Sequence, residues 1–344
     1  MAAVLQDQGP NFTFRIQEVE IPTLKPREVL VKLEATGFCG TDLSLAYGYL
    51  GSCNSILGHE GIGRIVATGS DCASKAAVEG QRVGIGWIRD ACGSCRVCIS
   101  AAGGETRCIT QVFSGRDIPG TLASFAVVPE RYITPLPDDV PSELLAPVMC
   151  AGVTAYKALK VANSTPGSWI ALSGAAGGVG LLGLQYAKAM GYRTIAIDGG
   201  ERRGGICLDA GAEIYLDYEK EKDLRSAILR ETGGTLCSAV IVCAGAASAY
   251  ESALHCLDYF GTLVAVGIPP PTSKVSFHPL TLIDYGVKVI GSITGDRVDI
   301  LEAAEFVRRG LVKPKVIGIG LNELSQYSRR VNELDGKLVV RLEN

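Results

Sequence analysis

The sequence predicts an α/β protein in which a doubly wound parallel sheet is combined with a second, β-rich domain. The chain has 344 residues, which is more than one hydrophobic core usually contains. An apolar strand, a glycine-rich turn and a helix follow one another over residues 170–190. Near residue 153 the pattern changes from glycine-rich strands to alternating strands and helices. We therefore expect one domain of residues 1–150 and 290–344, and another of residues 151–289.

The predicted first domain is rich in strands. Strand candidates span 28–34, 61–69 and 81–86, and the glycines among them suit a bent, barrel-like sheet. The tail, 290–344, contains one helix at 298–309 and further strands. We expect this tail to return to the first domain.

The predicted second domain alternates short apolar strands with helices. The strand candidates are 168–173, 193–198, 213–217, 239–243, 261–267 and 287–291, and helix candidates include 179–190, 224–231 and 249–257. Such alternation predicts a parallel sheet with helices on both faces. The positive mean hydropathy, +0.23, agrees with strands that are buried on both sides.

Composition excludes several classes of function. A net charge of -3 provides no basic field for nucleic acid or an anionic membrane. We find no secretory signal and no apolar run of the roughly 18 residues that span a bilayer. Twelve cysteines without such a signal favour metal ligands or free thiols over disulfides. We expect a cytoplasmic protein.

The turn after the strand 168–173 predicts a dinucleotide site. Glycine lets the backbone approach a pyrophosphate, and the helix N-terminus offers unpaired N–H groups. Asp198 ends the next strand, where a carboxylate accepts hydrogen bonds from the adenosine ribose. It would also repel a 2′-phosphate, which favours NAD over NADP, although Arg202 and Arg203 lie near enough to pair with such a phosphate. The predicted turn residues are Gly174, Gly177, Gly178, Val179 and Gly180.

Two sets of residues have the chemistry of zinc ligands. Four cysteines within one segment favour a closed, structural tetrahedral site; they are Cys92, Cys95, Cys98 and Cys108. The second set, Cys39, His59 and Cys150, is spread along the chain, and spacing alone does not link it. Glycines on both sides of His59 and Glu60 suit a tight turn that presents the imidazole.

The chain resembles the zinc-containing medium-chain dehydrogenase/reductase family, and within it the tetrameric microbial alcohol dehydrogenases. The resemblance covers nearly the whole chain. It is most specific over residues 146–159, around Cys150, and over residues 174–200, with further matches in the tail at 291–297 and 310–313. It implies a Rossmann domain that binds NAD and a GroES-like catalytic domain. It also implies two zinc ions per chain, one catalytic and one structural.

The resemblance assigns roles by position. It implies that Cys39, His59 and Cys150 hold the catalytic zinc, with Glu60 as an intermittent fourth ligand or close electrostatic partner. Asp42 would hydrogen-bond to the zinc-binding histidine. Thr41 would pass on the proton of the substrate hydroxyl. Arg341 would contact the cofactor pyrophosphate.

The chain departs from the family pattern around the predicted pocket. Gly40 stands where a basic residue is common, and Ser44 stands where a relay histidine is common. Leu50 replaces a bulky aromatic residue, which suggests room for a substrate larger than ethanol. The other pocket candidates are Tyr47 and Trp87, for which core packing is an equal alternative.

These features predict a zinc-dependent alcohol dehydrogenase that transfers a hydride between NAD(H) and an alcohol, aldehyde or ketone. The alternatives are a polyol or specialised-metabolite dehydrogenase and an enoyl reductase of the same family. A cofactor-binding protein without turnover is a third alternative, against which the intact ligand set argues. The resemblance favours a homodimer or homotetramer.

Overall fold

The computed structural model describes residues 1–100 and 103–342. Its strands are β1 (Ala2–Gln6), β2 (Thr13–Gln17), β3 (Glu28–Phe38), β4 (Glu60–Thr68), β5 (Arg82–Ile85), β6 (Ile88–Asp90), β7 (Val112–Phe113), β8 (Phe125–Pro129), β9 (Thr134–Pro135), β10 (Trp169–Ser173), β11 (Arg193–Asp198), β12 (Ile214–Asp217), β13 (Cys237–Val242), β14 (Leu257–Ala265), β15 (Lys288–Gly291), β16 (Val316–Gly320) and β17 (Lys337–Arg341). Its α-helices are α1 (Gly40–Ala46), α2 (Ser142–Leu145), α3 (Ala151–Ala162), α4 (Gly178–Ala189), α5 (Glu201–Asp209), α6 (Leu224–Thr232), α7 (Ala247–His255), α8 (Pro279–Tyr285), α9 (Arg297–Arg308) and α10 (Leu324–Tyr327).

The chain divides into two compact units, and the predicted fold class is confirmed. One unit contains Met1–Val153 and the segment from Gly295 onwards, and the other contains Thr154–Thr294. The first unit is built on a largely antiparallel sheet and the second on a parallel one.

The second unit contains a six-stranded parallel sheet in the order β12-β11-β10-β13-β14-β15. Helices follow β10, β11 and β13 directly, so each chain crossing returns over a face of the sheet. Because the strands are parallel, the carboxyl ends of β10 and β11 lie side by side, with Ser173 opposite Ile197. The glycine-rich turn after β10 therefore lies next to Asp198, the last residue of β11.

The first unit is organised around β3, an 11-residue strand that pairs with β4, β8 and β17. Irregularities in its register with β4 bend the sheet, as β-bulges do. One face of β3 is buried in an apolar core that includes Val29, Val31 and Leu33. The bend and the alternation of buried residues give a curved sheet wrapped around one core.

The returning tail brings distant segments together at one end of β3. Strand β17 is antiparallel to β3, with Val339 opposite Gly37, and Gly37 is also opposite Glu60 of β4. Lys337, at the start of β17, therefore lies beside the residues that enter α1 and β4. The candidate site described below forms at this junction.

Among the described residues, no single helix is both long and apolar enough to cross a bilayer. Only the bent pair Ser142–Met149 and Ala151–Ala162 reaches that length and composition together.

Candidate functional site

The N-terminus of α1 places the first candidate ligand. Cys39 is the N-cap of this helix, and its sulfur accepts a hydrogen bond from the backbone N–H of Thr41 at 3.3 Å. Asp42 completes a capping box, because its Oδ2 accepts the backbone N–H of Cys39 at 3.1 Å. The local helix chemistry therefore orients the Cys39 side chain.

The same carboxylate orients the histidine. Asp42 Oδ1 lies 3.0 Å from His59 Nδ1 and accepts the backbone N–H of Gly58, also at 3.0 Å. Both Asp42 and His59 are fully buried. Because a carboxylate accepts the Nδ1 proton, the Nε2 lone pair is free to bind a metal ion.

Three side chains from distant segments converge at His59 Nε2. It lies 3.3 Å from Cys39 Sγ and 3.3 Å from Cys150 Sγ. Cys150 follows the 3₁₀ turn Ala146–Met149 and directly precedes α3. With a carboxylate oxygen of Glu60, these ligand atoms all lie within 4.8 Å of one another. The structure thus brings together all four residues that the sequence placed at one centre.

Glu60 is held by a residue that the sequence analysis missed. Lys337 Nζ donates to Glu60 Oε1 at 2.7 Å, and the side chains are 9% and 0% exposed. The other oxygen, Oε2, is buried without a hydrogen-bond partner. A Cβ atom at Gly37 would lie 1.9 Å from Oε2, so only glycine leaves room for this carboxylate.

The electrostatics of the centre favour a cation. The pKa of Cys39 lies well below its ordinary value, because the Cys150 thiol donates to its sulfur and the buried Lys337 ammonium group is close. The pKa of Cys150 lies well above the ordinary value, because the Cys39 thiolate and burial both oppose a second negative charge. Protein groups alone therefore stabilise one thiolate of the pair, and ionising both requires a further positive charge.

The donor set fits zinc. Two sulfurs and one imidazole nitrogen are ligands that this ion prefers, and three protein ligands are typical of catalytic sites that leave one position for substrate. The unpartnered Glu60 Oε2 is a buried oxygen that a cation would satisfy.

The four-cysteine set forms a second centre, in what we call the four-cysteine lobe (residues 92–100 and 103–108). The sulfurs of Cys92, Cys95, Cys98 and Cys108 all lie within 4.8 Å of one another. Backbone N–H groups of Ser94 and Cys95 lower the pKa of Cys92 to about 5, which favours a thiolate. Burial and the neighbouring thiols raise the pKa of Cys98 to about 12. Four sulfurs without a carboxylate or an open position suit a closed structural site.

The other predicted residues near the first centre are placed as follows. Thr41 and Ser44 are half-buried on α1, next to the Cys39 cap. Trp87 packs edge-on against the His59 ring at 5.2 Å and stacks on Phe113 at 4.9 Å. Tyr47 packs against the apolar core of the first unit. Leu50 is 38% exposed.

The predicted cofactor turn lies in the second unit, between β10 and α4. Gly177 is the N-cap of α4, and the helix begins at Gly178. Gly174 has φ +77°, and a Cβ there would lie 2.7 Å from the backbone nitrogen of Ala244. The conformation and the close approach both require glycine. Val179 and Gly180 form the first turn of α4, whose free N–H groups suit an anion.

Asp198 lies beside this turn and is 4% exposed. Its Oδ2 accepts the backbone N–H of Ala176 at 2.8 Å, and its Oδ1 accepts that of Gly199 at 2.9 Å. Arg203 pairs with Oδ1 at 2.7 Å. The carboxylate that the sequence predicted at the ribose position is therefore fixed by the turn and partly neutralised by Arg203.

Arg341 lies at the exposed end of β17. Its Nε donates to Glu143 Oε1 at 2.8 Å. Arg341 therefore forms an ion pair with Glu143 in the first unit. The basic residue of β17 that contacts the ligand cluster is Lys337, through Glu60.

Two protein-family profiles match the chain: "Alcohol dehydrogenase GroES-like domain" over residues 25–138 and "Zinc-binding dehydrogenase" over residues 178–309. An alcohol dehydrogenase of Geobacillus stearothermophilus is 39% identical over 332 residues, which cover 95% of each chain. Among solved structures, the alcohol dehydrogenase of Aeropyrum pernix has a TM-score of 0.85 and 26% identity, covering 99% of this chain and 100% of that one. A putative zinc-binding dehydrogenase of Sinorhizobium meliloti, bound to NADP, has a TM-score of 0.88 and 26% identity, covering 99% of both chains.

Proposed function

The chain belongs to the zinc-binding alcohol dehydrogenase family, and from that premise we propose that it oxidises alcohols and reduces the corresponding aldehydes or ketones with NAD(H). One observation carries the proposal: the sulfurs of Cys39 and Cys150 each lie 3.3 Å from His59 Nε2, and the Glu60 carboxylate lies beside them.

In this proposal Cys39, His59 and Cys150 hold a catalytic zinc ion, which supplies Lewis-acid polarisation of the substrate oxygen. The protein contributes orientation. Asp42 keeps the His59 proton on Nδ1 and so keeps Nε2 available as a ligand. Lys337 binds one oxygen of Glu60, and the other is buried without a hydrogen-bond partner and so is available to a cation.

Thr41 is the proposed carrier of the substrate proton. Its backbone N–H donates to Cys39 Sγ at 3.3 Å, and this proximity of the residue to a proposed zinc ligand supports the proposal. Because residue 44 is a serine, we propose that the proton leaves by a short path that ends in water.

The proposed cofactor is NAD(H), which supplies the hydride chemistry when it is bound. The N-terminus of α4 would bind its pyrophosphate, and Asp198 would bind the adenosine ribose. The carboxylate disfavours a 2′-phosphate at the same position, and Arg203 already has Asp198 as its ionic partner.

The four-cysteine lobe is proposed to hold a second, structural zinc ion, and the physiological assembly is proposed to be a homodimer or homotetramer in the cytoplasm. Leu50, Tyr47 and Trp87 are the proposed pocket residues. An exposed leucine in place of a large ring favours substrates bulkier than ethanol.

The experiment that tests the function measures zinc per chain and NADH formation with a panel of primary and secondary alcohols. We expect two zinc ions per chain and turnover of at least one bulky alcohol. We expect Cys150→Ser to keep one zinc ion and to lose turnover. Turnover that persists in this variant would refute the proposed centre. A hydride label that is transferred to the β-carbon of an enone would favour the enoyl reductase alternative.

A further inference from the structure

At both ends of the four-cysteine lobe, an arginine–carboxylate pair links the segment to the rest of the first unit. At the C-terminal end, Arg297 forms a fork with Glu105, with Nη2 2.5 Å from Oε1 and Nε 3.2 Å from Oε2. Glu105 belongs to the 3₁₀ turn Gly104–Arg107, and its carbonyl accepts the backbone N–H of Cys108. The position of Glu105 therefore bears directly on the position of Cys108.

The N-terminal end has the same arrangement. Arg131 forms a fork with Asp90, with distances of 2.9 and 2.5 Å. Asp90 is the last residue of β6, two residues before Cys92. The two arginines are also joined, because Arg297 Nη1 donates to the carbonyl of Arg131 at 2.7 Å. We call this pair the arginine clamp (Arg131 and Arg297).

Arg297 is the less exposed member of the clamp. Its side chain is 32% exposed, against 59% for Arg131. Its guanidinium also lies 4.7 Å from the centroid of the Tyr132 ring, and Tyr132 belongs to the small buried cluster that contains Cys108. The planar guanidinium of Arg297 thus contacts a carboxylate, a carbonyl and an aromatic ring at once. The ammonium group of a lysine could not make all of these contacts.

We propose that Arg297 is a positioning residue for the metal centre of the lobe. It keeps Cys108 in its ligand position when the bond between the metal and a sulfur breaks. The sulfur then binds the metal again before the metal ion leaves the site. Within residues 1–100 and 103–342, the two middle cysteines, Cys95 and Cys98, have no such attachment, and we expect exchange of the metal to begin with them. This proposal rests on the zinc ion proposed above for the four-cysteine lobe, and it does not depend on the substrate or the redox cofactor.

The test follows zinc release to a chromophoric chelator from the holoenzyme, with Cys150→Ser as a background that retains only the lobe's zinc. We expect Arg297→Met to accelerate release about 10-fold or more, the range that loss of a partner outside the ligand set produces. The rate of zinc release from Arg297→Lys should be closer to that of Arg297→Met than to that of the wild type. Arg308→Met is the matched control, since Arg308 lies on the same helix, α9, and in the described part of the chain its ionic partners are Glu305 and Asp139.

A second readout separates positioning from general stability. During release, alkylation and mass spectrometry should show Cys95 and Cys98 labelled before Cys92 and Cys108 in the wild type. In Arg297→Met, Cys108 should join the early group. Wild-type release and labelling order in Arg297→Met would overturn the proposal, as would equal acceleration in Arg308→Met.

Glu105→Gln tests the same contact from the lobe, should Arg297→Met fail to fold. It should accelerate release, and combining it with Arg297→Lys should add little further effect, because both changes break one contact. Fully additive effects would overturn the proposal. A protein that lacks turnover but shows the expected release would contradict the proposed function and leave this inference standing.

Discussion

Lys337 and Glu60, 277 positions apart in the sequence, form a buried ion pair of 2.7 Å beside the candidate metal ligands. The Coulombic attraction of Glu60 and Cys39 outweighs burial and raises the pKa of Lys337 above its ordinary value. Lys337 therefore stays protonated and supplies a positive charge to the buried, acidic ligand cluster.

Removal of this lysine should destabilise the fold. Lys337→Met leaves the Glu60 carboxylate buried without its partner, and we expect unfolding to become easier by about 3–5 kcal/mol. Denaturant unfolding of the holoenzyme measures it. The matched control is Lys220→Met, which breaks an exposed pair with Glu201 and should leave the free energy of unfolding nearly unchanged. Equal effects of the two substitutions would contradict the importance of the buried pair.

Asp42 should control metal affinity through His59. Asp42→Asn weakens the acceptor of the Nδ1 proton and two backbone contacts, so we expect zinc affinity at this centre to fall about 10–100-fold. Competition with a chelator of known affinity measures the change. Asp223→Asn, at the N-cap of α6 in the other unit, is the control. Unchanged zinc affinity in Asp42→Asn would exclude this role.

Thr41 and Ser44 should act on proton transfer. We expect Thr41→Ala to lower kcat about 100-fold, as loss of a positioned proton carrier does, and Thr41→Ser to retain most of the rate. Ser44→His should introduce a new ionisation into the pH–rate profile. A profile and rate identical to wild type in Ser44→His would count against the short, water-ended path.

Asp198 should determine the choice of cofactor. Asp198→Ser removes the negative charge and frees Arg203, so we expect the ratio of kcat/KM for NADP to that for NAD to rise at least about tenfold. Asp209→Ser, on the exposed end of α5, should leave the ratio unchanged. A wild-type enzyme that already prefers NADP would contradict the assignment.

Glu130 should contribute stability that depends on pH. Backbone N–H groups of Ser74 and Ala73, and the Arg27 guanidinium, hold its pKa below the ordinary value of 4.5. A depressed pKa means that the stabilisation is complete above that value and is lost as the pH falls through the lower, folded pKa. Wild type should therefore be more stable than Glu130→Gln at neutral pH, and thermal unfolding should show the gap closing below about pH 4. A gap that widens in acid would contradict this sign.

Local patterns in the sequence predicted much of the second unit. The strand, turn and helix around Gly174 were found because glycine, apolar strands and the following helix are adjacent in the chain. The residues of the four-cysteine lobe were found for the same reason. Strand ends were predicted less well. β14 begins at Leu257, whereas the apolar pattern indicated a start at residue 261, because the residues just before Gly261 are exposed and break that pattern.

Local patterns did not predict contacts between distant segments, and the convergence of Cys39, His59 and Cys150 was implied only by the family resemblance. Lys337 has no motif around it, and only the pairing of β17 with β3 shows that it reaches Glu60. The short strands β1 and β2 pair with each other but carry too few alternating residues to stand out. Arg297 was noticed as part of a family-like stretch, but its contact with Glu105 joins residues 192 positions apart.

The central claim is that two sulfurs and one imidazole hold a single zinc ion in the first unit. A crystal of active enzyme, measured on both sides of the zinc absorption edge, tests it most directly. We expect an anomalous peak about 2.3 Å from the sulfurs of Cys39 and Cys150 and about 2.0–2.1 Å from His59 Nε2. A peak in the four-cysteine lobe alone, in crystals whose protein turns over alcohol, would contradict it.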